Sequence, residues 1–230
     1  MNAKSRKMSD YHIVAFYKED KAEVARHAEA VSRMYRLPLR YEKIPGLPSA
    51  ISLLAGADAV FCILNRTIFG FGRLMKYAYA LKQPVILVHP SDALEGFRHL
   101  KVPVGYLQEN KEKVVWVNFL QRHHPDSTIE LVVSQEKDEG IAEMVQNNVA
   151  FIEQVLQNSK ASYTKRLLTG SLEKNMKDLL RESDGSLLLV MRPFRIFSFY
   201  LPFPLRLFRK HAQAPMMLIP RNDSLYVPCH

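Results

Sequence analysis

The sequence predicts an α/β protein with parallel β-sheets and a Rossmann-like architecture. Short segments that are almost wholly apolar, such as DAVFCIL at residues 58–64, alternate with longer segments whose apolar residues recur at helical spacing. A short apolar run is typical of a strand that is covered on both faces, as strands of parallel sheets are. Strands that alternate with helices in this way are joined by right-handed crossovers.

The first half of the chain carries four predicted strands and three predicted helices. The strands are residues 11–17, 38–44, 58–64 and 84–90. The helices are residues 18–37, 45–57 and 71–83. Helical spacing in the first helix creates an apolar face, formed by Val24, Ala28, Val31 and Tyr35.

The pattern restarts after residues 91–99. The predicted strands of this half are residues 100–107, 127–134, 163–169, 185–191 and 216–219. The predicted helices are residues 108–124, 137–159 and 171–183. The first of them turns Val114, Val117 and Leu120 inward. The longest has one apolar side, formed by Ile141, Met144, Val145, Val149, Ile152 and Val155.

The two halves can be laid over each other as an internal repeat. Residues 36–64 run beside residues 160–190, and residues 82–88 run beside residues 213–219. The repeat predicts two similar units in tandem, of which the first lacks an opening strand and helix. We expect a truncated first unit, a complete second unit and a C-terminal tail, over residues 1–92, 99–222 and 223–230 respectively.

Composition narrows the class of protein. The net charge is +9, but the basic residues are spread along the chain, which favours solubility over a nucleic-acid site. No apolar run reaches the roughly 18 residues of a membrane span, and no apolar segment follows the basic residues 1–10. Cys62 and Cys229 lie far apart, which fits a reducing compartment. We expect a cytoplasmic protein without a nucleic-acid partner.

The sequence offers no group that we would assign to catalysis or metal binding. His123 and His124 are adjacent, so they point in different directions at a helix end, whereas helical metal ligands need a spacing such as i, i+4. Glu139 and Glu143 fall at helical spacing and indicate a solvated face. G-x-S-x-G, Walker and C-x-x-C motifs are missing from the sequence. We expect a protein that is not an enzyme, with no catalytic residue and no metal.

Residues 100–134, LKVPVGYLQENKEKVVWVNFLQRHHPDSTIELVVS, resemble the opening of a universal stress protein domain. That family begins with a hydrophobic-V-P-V-D strand, a helix and a second strand. The segment APMMLIP at residues 214–220 is similar to the family's closing strand. The resemblance covers the second half well and the first half more loosely. It implies two tandem units of the adenine nucleotide alpha hydrolase-like class, pairing of domains and, in many members, ATP at the strand ends.

The second half departs from the family's ATP-binding pattern. ATP-binding members carry Asp after the first V-P-V, where this chain has Gly105. They also carry G-x-x-G after the fourth strand, and the matching positions here are Arg192 and Arg195. Glycines matter there because they let backbone N–H groups approach phosphates ahead of a helix. We therefore expect no ATP in the second unit in the family's way.

The first half keeps a candidate phosphate or ligand loop. Its members are Asn65, Arg66, Gly70, Gly72 and Arg73. Asn65 stands where the family's first glycine would stand, and the two glycines lie close to the later G-[ST]. ATP is the candidate ligand of this loop. The alternative is that Gly70 and Gly72 only shape a strand-to-helix turn, and G-x-G-x-x-G fails because Met75 occupies the third position.

An apolar and basic insert without glycine separates the last two strands, over residues 192–213. The members that we single out are Phe194, Phe197, Phe199, Phe203, Phe208 and Arg209. Three interpretations compete: the insert plugs the vacant nucleotide site, forms a seam between units or between chains, or touches an anionic membrane. Prolines interrupt the insert and argue against the amphipathic helix that membrane contact would use. We expect a protein partner or self-association.

These observations predict a non-enzymatic, stress-associated or regulatory module that acts through protein or small-ligand contacts. The alternative is a nucleotide-binding sensor that uses Asn65–Arg73. A third hypothesis is a small hydrolase or transferase on a similar fold, which a convergent cluster of polar side chains at the strand ends would favour. Cytoplasmic domains that regulate membrane transporters share this fold, so a transporter partner also fits.

Overall fold

The computed structural model describes residues 12–45, 49–56, 59–67, 71–170, 172–182, 185–192 and 214–220. The chain divides into two compact units, Met1–Leu94 and Glu95–His230. The Rossmann-like α/β class that the apolar runs predict is confirmed, because strands and helices alternate throughout. The repeat relation between the two halves stays a prediction. The predicted C-terminal tail, residues 223–230, lies outside the described residues.

In the first unit, four strands alternate with three helices among the described residues. The elements are β1 (Ile13–Tyr17), α1 (Ala22–Tyr35), β2 (Leu39–Lys43), α2 (Ser49–Ala55), β3 (Phe61–Asn65), α3 (Phe71–Ala80) and β4 (Val85–Val88). The strands pair in parallel in the order β2-β1-β3-β4. The chain runs from β1 to β2 on one side and then crosses to β3 on the other. The carboxyl ends of β1 and β3 therefore form a topological switch point, where ligands of such folds bind.

In the second unit, five strands and three α-helices are described. The elements are β5 (His99–Val104), α4 (Lys113–His123), β6 (Thr128–Gln135), α5 (Glu139–Asn158), β7 (Tyr163–Thr169), α6 (Leu172–Arg181), β8 (Leu187–Met191) and β9 (Met216–Ile219). A 3-10 turn at Gln108–Glu112 precedes α4. The strands pair in parallel in the order β9-β8-β5-β6-β7. The switch point of this unit lies at the carboxyl ends of β5 and β8.

The core of each unit follows the apolar pattern of the sequence. Every residue of β3, β4, β8 and β9 is buried. The predicted apolar face of α1 is fully buried, as are the three inward residues of α4. Each fully buried Val, Leu or Ile side chain contributes about 1.5–3 kcal/mol relative to an exposed one. These faces hold the helices on the sheets and so place the loops that follow the strands.

The apolar side of α5 is buried only in part. Met144 is 46% exposed, although its neighbour Val145 is buried. The buried stripe of α5 runs through Val145, Asn148, Val149 and Ile152, at the i, i+3, i+4, i+7 spacing of a helix face. Met144 is rotated about 100° from Val145 around the helix axis, so it lies beside that stripe and outside the buried face.

No helix in the described part of the chain combines the length and the apolar composition that crossing a bilayer requires.

Candidate functional site

Asn65 ends β3 at the switch point of the first unit, and its buried side chain makes three hydrogen bonds. Its Nδ2 donates to the Glu23 carbonyl at 2.5 Å. Its Oδ1 accepts from the Thr67 backbone N–H at 2.9 Å and from the Thr67 hydroxyl at 2.8 Å. An Asn that bonds to the backbone two residues later forms an Asx turn. Asn65 therefore joins α1 to the turn after β3.

Arg66, the candidate phosphate ligand that follows Asn65, lies beside a buried carboxylate. Its NH2 atom is 3.5 Å from Asp92 Oδ1, and the Asp92 side chain has no exposed surface. Asp92 Oδ2 also accepts from the His89 backbone N–H at 2.6 Å. Burial raises the pKa of Asp92, and the His89 N–H and Arg66 offset part of this rise. Burial likewise lowers the pKa of Arg66, which the Asp92 charge opposes.

Helix α1 completes this group, which we call the Asp92 cluster: Arg26, His27, Arg66, His89 and Asp92. His27 is buried, and its Nε2 lies 3.2 Å from the Asp92 carbonyl oxygen. Arg26 donates to the Pro90 carbonyl at 3.2 Å. Burial lowers the pKa of His27 and of His89, although the bond to Asp92 partly counters it for His27. The cluster fixes the loop after β4 against α1.

The other described members of the candidate loop lie at the start of α3 in a different environment. Gly72 and Arg73 are exposed. A Cβ atom added to Gly72 would meet no atom within 4 Å. Gly70 lies outside the described residues. Asn65 is therefore buried and Arg66 partly buried at the turn after β3, whereas Gly72 and Arg73 are exposed on the surface of α3.

At the switch point of the second unit, Gly105 is packed under the first residue of α6. A Cβ atom added to Gly105 would lie 2.7 Å from Leu172 Cδ2 and 3.5 Å from Asn110 Nδ2. A contact of 2.7 Å between carbon atoms is far inside their optimal separation of about 3.5–4.0 Å. Any side chain at position 105 would therefore require the Leu172 side chain to turn away.

A polar network holds the loop between Gly105 and Asn110. Asn148 on α5 donates to the Gly105 carbonyl at 2.8 Å and to the Leu107 carbonyl at 3.0 Å. Buried Lys113 donates to the Pro103 carbonyl and, at 2.7 Å, to Asn110 Oδ1. Burial lowers the pKa of Lys113 to about 7, against the opposing charge of Glu109. These bonds satisfy the loop's backbone carbonyls from inside the protein.

The resemblance matches Arg192 to the family's first phosphate-loop glycine, which stays a prediction. The Arg192 backbone N–H donates to the Ile219 carbonyl of β9 at 2.6 Å. Arg195 lies outside the described residues, and so does the insert. The predicted roles of the insert members therefore stay predictions; these members are Phe194, Phe197, Phe199, Phe203, Phe208 and Arg209.

Sequence reasoning missed most of the polar residues that shape both switch points. Asp92 follows the apolar strand β4 in the segment HPSD, and Lys113 opens α4 within the polar run KEK. Charged residues directly after a buried parallel strand were a usable signal for Asp92. In the described ranges, no three His, Cys, Asp or Glu side chains come together in a metal-binding arrangement. Cys62 is buried, and burial raises the pKa of its thiol.

Parallel sheets with switch points are common to doubly wound α/β proteins, and solved structures show that this chain is similar in fold to universal stress proteins. No family model matches the chain, and no curated protein matches it. A universal stress protein from Archaeoglobus fulgidus DSM 4304 is similar, with a TM-score of 0.60, 11% identity, and coverage of 92% of this chain and 87% of that one. A putative universal stress protein from Pseudomonas aeruginosa UCBPP-PA14 has a TM-score of 0.58 and 8% identity, over 92% and 83% of the two chains. A functionally unknown protein from Pseudomonas aeruginosa PAO1 has the same TM-score and identity, over 92% and 82%.

Proposed function

We propose that the chain is a non-enzymatic regulatory module of the cytoplasm that has the universal stress protein fold and acts through protein or small-ligand contacts. Its second unit does not hold ATP in the family's way. The observation that carries this proposal is Gly105 itself, which puts no carboxylate where the family's aspartate would stand, while the Leu172 side chain packs over that position. The Arg192 N–H, at the position that the resemblance matches to the family's first phosphate-loop glycine, is bonded to the Ile219 carbonyl.

The bonding of the polar side chains at the strand ends supports a role without catalysis. A catalytic group must be directed at a space that a substrate can enter. Asn65, Lys113 and Asn148 are instead bonded to backbone groups of neighbouring segments. The Asp92 cluster is the part of the first unit that a hydrolase or transferase would use, but Asp92 and His27 are buried in it. We therefore rank that activity below the regulatory role.

A nucleotide-binding sensor in the first unit is the second candidate, with ATP as its ligand. It is favoured by the open space at Gly72 and by the exposure of Gly72 and Arg73 at the first turn of the ten-residue helix α3. Free N–H groups of a first helical turn attract phosphate. A valine at position 72 meets no atom within 4 Å at its Cβ, so Gly72→Val tests ligand binding with little effect on the fold.

Calorimetric titration of the full chain with ATP and Mg²⁺ tests these proposals. We expect no heat of binding, and no nucleotide released when the purified protein is denatured. Binding that Arg192→Ala abolishes and Gly72→Val preserves would contradict the statement about the second unit. Binding that Gly72→Val abolishes and Arg192→Ala preserves would replace the regulatory role with the sensor. Turnover of ATP in the same samples would contradict a role without catalysis.

A further inference from the structure

A cavity opens at the amino ends of β5, β6 and β7, at the edge of the sheet opposite the switch point of the second unit. Its volume is about 770 Å³, which falls in the range of small-molecule sites. We call it the amino-edge pocket. The side chains that matter for its chemistry are Lys101, Thr128, Glu130, Thr164, Arg166 and Glu182.

The polar character of this pocket is unusual for a parallel sheet. Both faces of such a sheet are normally covered, and its strands read as apolar runs. Here Lys101 on β5 is in register with Glu130 on β6, and Glu130 is in register with Thr164 on β7. Residues in register across a parallel sheet share a face, so the three side chains form one polar row. Arg166 lies two residues further along β7 on the same face.

Ion pairs connect the four charged groups of the pocket in a chain. The Lys101 ammonium donates to Glu182. The Arg166 guanidinium donates to the two Glu182 oxygens at 3.1 and 3.2 Å, and its Nε lies 3.2 Å from Glu130 Oε1. Glu182 thus bridges two cations, and Arg166 bridges two carboxylates.

The four charged side chains of the pocket differ in exposure: Lys101 is nearly buried, and the other three are partly exposed to the cavity. The Lys101 side chain is 9% exposed, whereas those of Glu130, Arg166 and Glu182 are exposed by 28%, 33% and 32%. The cavity therefore meets positive and negative groups side by side. Two cations and two carboxylates cancel, so a ligand with a net charge would leave one charge uncompensated in a partly buried site.

We propose that the amino-edge pocket binds a small zwitterion that carries one ammonium and one carboxylate group, either a free α-amino acid or a dipeptide. The ligand ammonium is recognised by Glu130. The ligand carboxylate is recognised by Arg166, whose side chain is 33% exposed while its NH1, NH2 and Nε atoms also contact Glu182 and Glu130. Charge-assisted hydrogen bonds of this kind are shorter and stronger than neutral ones. Thr128, Thr164 and His99 line the same space. Thr128 Oγ1 lies 2.6 Å from His99 Nδ1, and Thr164 Oγ1 donates to the Ile129 carbonyl at 3.4 Å, so the Thr164 oxygen can still accept from the ligand ammonium.

Thermal unfolding of the full chain with each common α-amino acid and with glycylglycine is the first test, followed by calorimetry. A ligand that binds the folded state raises the unfolding temperature. We expect at least one zwitterion to do so, and the amino-acid and dipeptide arms distinguish the two sources. The matched analogues of the binding zwitterion, its amide and its N-acetyl form, each lack one charge and should bind at least about tenfold more weakly.

Two substitutions on the pocket face have matched controls on the opposite face. Glu130→Gln and Arg166→Gln should each weaken zwitterion binding by at least about tenfold. Glu153→Gln and Lys165→Gln break the 3.0 Å ion pair that β7 makes with α5 on its other face, and should leave binding unchanged. Thr164→Val should also weaken zwitterion binding, and it keeps every charge of the pocket. It tests the same site if Glu130→Gln or Arg166→Gln does not fold. The proposal is overturned if no zwitterion binds, if the singly charged analogues bind as tightly, or if the pocket variants bind like the controls.

Discussion

At the scale of single residues, Lys113 shows how a buried charge shapes the region where the family binds its ligand. Its ammonium group is held among the Pro103 carbonyl, Asn110 and the surrounding core at the start of α4. Water is the better solvent for an ammonium, so burial favours the neutral amine and lowers the pKa of Lys113 to about 7. The amine can still donate to both oxygen acceptors after it loses its proton.

This lowered pKa predicts a specific pH dependence of stability. Between pH 7 and the ordinary lysine pKa of about 10.4, the unfolded chain binds a proton at Lys113 that the folded chain has lost. Stability therefore rises with pH across this window, by up to about 1.4 kcal/mol per pH unit, and this gain is lost progressively as pH falls from about 10.4 to about 7. Lys113→Met removes this contribution. Urea unfolding of both proteins at pH 7.5, 8.25 and 9, values spaced roughly evenly inside the window, measures the difference in slope.

Equal slopes for the wild-type chain and Lys113→Met would contradict a lowered pKa at this position. Lys111→Met is a suitable control because it also replaces a lysine by methionine, two residues away on the 3-10 turn. The Lys111 ammonium lies 5.4 Å from the centre of the Phe151 ring and not among the groups that hold Lys113. We expect the slope of that variant to match the wild-type slope.

At the scale of elements, the sequence predicted strands and helices far better than it predicted polar contacts. A short apolar run such as β3 is sufficient to indicate a buried strand, because periodicity and length are local properties. Asn148 was beyond such reasoning, since the carbonyl of Gly105 that it binds is 43 residues away. Asn65 and Glu23 are likewise 42 residues apart. Helical spacing put Met144 on the apolar side of α5, but spacing alone does not show where the buried part of that side ends, and Met144 lies beyond it.

An exposed apolar patch beside the buried face of α5 predicts that the chain associates with a second copy of itself. Met144 and Phe151 are both exposed and lie seven residues apart on one side of this 20-residue helix. Leu107 is also exposed. It lies on the neighbouring loop, and its carbonyl accepts a hydrogen bond from Asn148 of α5. Exposed apolar groups that gather in one patch mark contact sites. We expect light scattering to show a dimer of the wild-type chain and a monomer of Phe151→Glu.

Gln154→Glu is the matched control for this prediction. It adds the same charge to an exposed position of α5, three residues further along the helix. The control should remain dimeric. A wild-type monomer at every concentration, or equal behaviour of the two variants, would exclude α5 as a self-association surface.

At the scale of the whole molecule, the resemblance predicts that the departure from the family's ATP-binding pattern is spread over three elements of the second unit. Gly105 follows β5, Leu172 opens α6 and Arg192 follows β8. The resemblance matches Gly105 to the family's aspartate and Arg192 to its first phosphate-loop glycine, and the Leu172 side chain packs over Gly105. Restoring one part leaves the other two as obstacles.

Gly105→Asp tests whether the loss is distributed in this way. The new Cβ would lie 2.7 Å from Leu172 Cδ2, the end of a flexible side chain that can turn away, so we expect the free energy of unfolding to fall by about 1 kcal/mol, the low end of the range for overpacking. We also expect calorimetry to show no ATP binding, because the Arg192 N–H stays bonded to Ile219. Gly72→Ala is the control, and it should leave stability unchanged or raise it by up to about 1 kcal/mol, since its Cβ meets open space in a helix. ATP binding by Gly105→Asp alone would mean that one residue, and not three elements, separates this chain from the nucleotide-binding members of its fold.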